Sequence, residues 1–200
     1  MEFVLEIPNN LSSDVCKELI KRFEADPEKY PGLVASGRAE PAIKRSVDLR
    51  ITDKTRFKDL DEVLYERLKV GLVKYGEHIS ERLKHVENMN FLTRNILNDT
   101  IDTGYQIQRI KKGDFYIWHS DYSPNSDRII AFIWYLNTIE DGIGGTTDFY
   151  FDKSIKPEEG KLLMFPATWS YIHRGAKIES DTTKYIATGF IVNSNKGTVS

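Results

Sequence analysis

After Asn90 the chain breaks into short runs of β-branched, aromatic and aliphatic residues. These runs cover residues 105–110, 115–119, 129–137, 146–151, 161–165, 171–174 and 184–192. Turn-forming clusters separate them: Lys112-Gly113-Asp114, Pro124-Asn125-Ser126, Asp141-Gly142 with Gly144-Gly145, and the stretch from Pro157 to Gly160. Short strands at even spacing predict a sandwich or barrel of antiparallel strands. No other feature narrows the fold as much.

The preceding half has a different periodicity. Residues 3–7 alternate apolar and acidic side chains, which predicts a strand stopped by Pro8. Ser12 or Ser13 then caps a helix whose apolar face is Val15, Leu19 and Phe23. Pro27, Pro31, Gly32, Gly37 and Pro41 make residues 26–41 a long loop, read either as a lid at a binding edge or as a plain connector. Residues 43–51 alternate as a strand does. A longer helix follows, with Phe57, Leu60, Leu64, Leu68, Leu72, Tyr75 and Ile79 along one face. The expected class is α+β: a β-sandwich or barrel formed by the second half and backed by N-terminal helices. One domain spans 1–200, with a helical support region at 1–100 and the barrel core at 101–193. The polar ending from Asn193 to Ser200 is expected to fray.

Composition restricts the setting. A formal net charge of −2 gives no reason to expect nucleic acid or an anionic membrane as partner. Cys16 stands alone, which excludes an internal disulfide and predicts a reducing, cytoplasmic location. Glu2 and Glu6 interrupt the N-terminus, so neither a signal peptide nor a membrane span is expected there.

Tyr116-Ile117-Trp118-His119-Ser120-Asp121 carries the chemistry. At the end of a strand, His119 and Asp121 would project to the same side, about 7 Å apart along the backbone. An imidazole and a carboxylate so placed can grip one metal ion. His173 is an isolated histidine and a candidate third ligand. Two imidazoles and one carboxylate on one face of an octahedron leave three positions open, as in non-haem Fe(II) oxygenases. His78 and His85, two helical turns apart, suit a solvated surface. Trp118, Trp134 and Trp169 are expected to pack.

From Gly104 to Val192 the chain resembles Fe(II)/2-oxoglutarate-dependent dioxygenases of the prolyl 4-hydroxylase type, in particular the compact bacterial and phage-encoded members. The resemblance rests on four pieces in order. They are Tyr116-x-x-His119-x-Asp121; Tyr135-Leu136-Asn137 leading to Gly144-Gly145-Thr146-Thr147-Asp148-Phe149; Gly160 and Phe165 before His173-Arg174-Gly175; and Lys184-Tyr185-Ile186. It implies an α+β fold, a double-stranded β-helix or jelly-roll barrel backed by N-terminal helices, in which His119, Asp121 and His173 hold Fe(II) and 2-oxoglutarate chelates the metal beside O2. Ascorbate would serve as an accessory reductant. It further implies that Lys184, with Thr188 on its face, meets the distal carboxylate of 2-oxoglutarate, together with the hydroxyl of Tyr135. The substrate would be hydroxylated at a prolyl or similar unactivated carbon of a peptide, protein or small molecule, with release of succinate and CO2. Two departures stand out: Thr146 replaces a frequent Glu, and Ile110 falls where many members have a tyrosine that holds 2-oxoglutarate. Gln108 or Tyr116 would then take over that contact. By alternation alone Tyr116 suits a core position as well as a ligand one, and Arg174 suits either substrate or a salt bridge. Competing readings are a cupin-like metal enzyme that uses no oxo acid and a catalytically silent barrel. Substrate choice would reside in loops 26–41 and 122–128.

Overall fold

The computed structural model describes residues 3–87, 97, 99–122 and 127–194. Two helices and twelve strands follow one another as β1 (Leu5–Ile7), α1 (Ser13–Ala25), β2 (Tyr30–Pro31), β3 (Val47–Arg50), α2 (Lys58–Arg82), β4 (Thr100–Asp102), β5 (Gln106–Lys111), β6 (Tyr116–His119), β7 (Arg128–Tyr135), β8 (Thr147–Phe149), β9 (Lys153–Ile155), β10 (Leu162–Pro166), β11 (His173–Gly175) and β12 (Thr183–Asn193). The major sheet runs β1-β10-β7-β12-β5-β3-β2, with β4 on the far half of β12; the minor sheet runs β6-β11-β8-β9. All the pairings are antiparallel. The two sheets form a jelly-roll sandwich; among the described residues they do not close into one ring.

Alternation along the major sheet divides its side chains between two cores. Ile130, Phe132 and Trp134 of β7, Leu162 and Met164 of β10, and Ala187 and Ile191 of β12 face the helices. Leu19 and Phe23 of α1 and Leu60, Leu64 and Leu68 of α2 cover them. Ala131, Tyr135, Leu163, Phe165 and Ile186 point the other way and meet Phe149 and Ile155 of the minor sheet. With both faces buried, β7 and β10 read as continuous apolar runs. Ser12 is the cap that forms: its hydroxyl accepts the amide of Val15 at 3.4 Å.

Three differences from the sequence reading matter for the site. First, the strands of the N-terminal half are part of the sandwich rather than of a separate support, because β1, β2 and β3 all join the major sheet. Second, β2 lies inside the 26–41 loop, and β4 and β9 are three residues each, too short to show a period. Pro31 is tolerated because β2 is an edge strand. Third, Trp118 and Trp169 are 44% and 70% exposed, and only Trp134 packs, with its indole N–H donating to Asn10 Oδ1 at 2.7 Å. The polar end from residue 195 lies outside the described residues. No helix among the described residues is long and apolar enough to cross a membrane.

Leu64 is fully buried between α2 and the sheet. Leu64→Ala is expected to lower the unfolding free energy by about 2–5 kcal/mol, from lost transfer energy and the residual cavity. Urea denaturation of both forms measures this.

Candidate active site

The strands β6 and β11 pair with His119 directly opposite His173, and the register shifts between His173 and Gly175. Their ring centroids are 4.3 Å apart. The strand ends at His119, so Asp121 sits one turn beyond it rather than on it. Its Oδ1 lies 3.8 Å from His119 Nε2 and its Oδ2 3.6 Å from His173 Nε2. One ligand atom from each of the three lies within 4.8 Å of the others. Each Nδ1 sits against a main-chain carbonyl, Ile117 at 2.8 Å for His119 and Tyr171 at 3.0 Å for His173. A carbonyl only accepts, so each Nδ1 carries the proton and each Nε2 presents a lone pair toward Asp121. Metal-binding histidines are commonly held in this way, by a hydrogen bond on the other ring nitrogen.

The electrostatics suit a bound cation. Burial and the neighbouring His173 push His119 down to about 3, so its imidazole is neutral at neutral pH. Burial raises the Asp121 carboxyl, although His173 and Arg128 pull it down. Burial thus disfavours the charged forms of both groups, a cost that a divalent ion among them would offset. Two neutral imidazoles and one carboxylate suit Fe(II).

Tyr116 stacks on His119 with centroids 3.5 Å apart and planes 16° from parallel. Strict alternation would put them on opposite sides; an extra residue in β6, where Ile117 and Trp118 oppose Arg174 alone, turns them together. The stack lies on a cavity of about 980 Å³ that follows the inner face of β12. At its buried end is Lys184, whose Nζ donates to Gly145 O at 2.6 Å and lies 5.7 Å from the Tyr135 ring. Burial lowers its pKa to about 8. No carboxylate lies within ion-pair distance of this ammonium among the described residues, since Asp148 acts only through its field. The Gly145 carbonyl is set by a turn in which Gly144 and Gly145 have φ of 80° and 76°. A Cβ on Gly144 would lie 1.9 Å from Lys177 O.

The remaining residues named from sequence fall on both sides of the sheet. Tyr135 is fully buried and donates its hydroxyl to Thr147 Oγ1 at 2.7 Å, and it is Thr147 that lines the cavity. Thr147 was absent from the candidates; its place in the Gly-Gly-Thr-Thr-Asp run was the available signal. Thr188 lines the cavity, but its hydroxyl donates to Phe132 O at 2.7 Å. Ile110 forms apolar wall, and Gln108 also reaches the cavity. Arg174 lies outside it, paired with Asp148 at 2.9 Å and stacked on Trp118. His78 packs beside Tyr75 on α2, and His85 is exposed, both remote from the triad.

Residues 105–192 match the family model described as the 2OG-Fe(II) oxygenase superfamily. This segment is a 2OG-Fe(II) oxygenase domain. The match and the His-Asp-His cluster together support Fe(II), 2-oxoglutarate and O2 as cofactor and co-substrates. No curated protein matches the sequence. Among solved structures, a viral collagen prolyl hydroxylase from Paramecium Bursaria Chlorella virus-1, in complex with 2-oxoglutarate, is similar at a TM-score of 0.69 and 20% identity, over 96% of this chain and 97% of that one. A Pseudomonas putida prolyl-4-hydroxylase gives 0.67 at 15% identity, over 96% and 94%. A Trichoplax adhaerens prolyl hydroxylase, solved with a hypoxia inducible factor oxygen degradation domain peptide fragment, gives 0.72 at 17%, over 95% and 83%. At these identities the likeness is one of fold.

One Mn(II) per chain is expected to bind at the three donors, with Asp121→Ala weakening it at least tenfold, the lower end of losses seen when even supporting groups of metal sites are removed. Affinity should fall as the pH drops, and from a higher pH than an ordinary carboxylate would give, because Asp121 takes up its proton early. Electron paramagnetic resonance titration of free Mn(II) follows both effects.

Proposed function

We propose that this protein is an Fe(II)- and 2-oxoglutarate-dependent hydroxylase acting on a prolyl or similar unactivated carbon of a peptide, with succinate and CO2 as co-products. The observation that carries the reading is the buried ammonium of Lys184 on the cavity that also holds the triad. An unpaired charge in an apolar sandwich is costly, and a carboxylate ligand relieves that cost. A metal enzyme without an oxo acid, or a silent barrel, leaves Lys184 without a purpose.

In this reading His119, Asp121 and His173 hold Fe(II), which with 2-oxoglutarate and O2 supplies the oxidising power. Lys184 binds the distal carboxylate, and the Tyr135–Thr147 hydroxyl pair and Thr188 provide polar contacts near it. Ile110, Ala131, Phe165 and Ile186 exclude water from that end. Tyr116 holds the His119 ring from its face. Peptide is favoured over a small molecule by the length of the groove. It is lined by Lys184, Ile186, Thr188, Phe190 and Val192 of β12, which span roughly 26 Å at 3.3 Å per residue. The names of the viral and Trichoplax structures point the same way.

Lys184→Ala is expected to weaken 2-oxoglutarate by roughly thirty-fold to several thousand-fold, the loss typical of truncating one partner of a buried charge pair. Metal binding should stay unchanged; an unaltered KM for 2-oxoglutarate in the succinate assay would sink the assignment. The pH dependence has a defined sign. Burial holds the free Lys184 at about 8, and a bound carboxylate raises it. Affinity is therefore greatest below that pH and declines as the pH rises through it. Calorimetric titrations of 2-oxoglutarate on either side of this pH are the measurement.

A further inference from the structure

The groove lining carries an excess of cations in a chain whose net charge is −2. Five cationic side chains and two carboxylates line it. Most of these charges already have a task. Lys44 is buried against Asp48 at 2.8 Å, and Asp48 also accepts from Ser46 and Gln106. Lys184 belongs to the 2-oxoglutarate end, and Asp121 to the triad. Arg128 donates to Asp121 O and stacks on Phe190. Two cations are left, Arg45 and Arg50.

Both are exposed, and both are held by main-chain carbonyls rather than by carboxylates. Arg45 Nε donates to Pro41 O at 3.0 Å, with its guanidinium over the Phe115 ring. Arg50 donates through Nη1 to Thr103 O at 3.0 Å. Neither makes an ion pair with a described residue. The chain runs from beside the minor sheet into the major sheet between them, and both residues line the groove. The Arg45 amide donates to Phe115 O beside β6, whereas Arg50 pairs with Gln106 on β5 of the major sheet. Five residues of extended chain separate them, at most about 17 Å.

Two guanidiniums that line an extended groove, with no carboxylate partner among the described residues, complement an anionic ligand. We infer that the substrate is an acidic peptide, bound extended, whose carboxylate side chains meet Arg45 and Arg50. This rests on the hydroxylase reading and narrows its substrate class. A nucleic acid, also anionic, would call for a row of cations at phosphate spacing, and the groove offers two without other tasks.

The test uses the protein loaded with Mn(II) and 2-oxoglutarate, and fluorescein-labelled proline-centred peptides carrying glutamate, glutamine or lysine on both sides. Anisotropy at low salt gives the affinities. The glutamate peptide is expected to bind about tenfold tighter than the glutamine one, roughly threefold for each exposed ion pair. The advantage should fall to about threefold in R45Q or R50Q, disappear in the double variant, and shift toward the lysine peptide in R50E. Both arginines are exposed, and circular dichroism confirms that the variants fold. Equal affinity for glutamate and glutamine peptides overturns the inference. So does an advantage that survives the double substitution, no binding of any peptide, or tighter binding of oligothymidylate. Succinate release by wild type, assayed separately for dependence on 2-oxoglutarate, reports on the hydroxylase reading. Its failure would leave a measured peptide preference standing.

Discussion

His119 and His173 are cross-strand neighbours, and the geometry of the site follows from that pairing. A pair of β-strands fixes the separation of opposed residues at about 5 Å, so the two imidazoles are in place once the minor sheet forms. The main-chain carbonyls two residues upstream on each strand then select the tautomer. Asp121 needs only a turn beyond β6 to complete the set. Little of this depends on long side chains finding one another, which keeps the donor positions precise at small entropic cost.

The same economy operates at the other end of the cavity. Lys184 and Ile186 lie on the inner face of β12, while Ala187 and Ile191 face the helices. Covering both faces of the major sheet therefore both builds the core and delivers a cation to an apolar interior. The helices contribute by burying the far face.

Much of this could be read from the residues. Seven runs of apolar and β-branched residues with turn clusters between them sufficed for a sandwich or barrel, because alternation in a sheet is a local property. His119, Asp121 and His173 could be named together because their types and order are distinctive. What escaped were features that depend on partners remote in sequence. Thr147 could not be tied to the Tyr135 hydroxyl without the pairing of β8 with β11 and the packing of the two sheets. Tyr116 against His119 contradicts simple alternation and follows from a register shift. The two-residue strand β2 has no periodicity to detect. Trp118 and Trp169 looked like core residues by type alone, and the structure leaves them on the surface.

The floor of the cavity beside Lys184 is a main-chain turn, in which Gly144 has no room for a side chain. Its mouth is built of arginines and loop residues that face water. Mutation therefore has unequal access to the two ends. Changes at the floor disturb backbone and are selected against whatever the protein acts on. Changes at the mouth alter exposed side chains at little cost to the fold. A lineage built on this scaffold can exchange one target for another while its oxidative chemistry stays as it was.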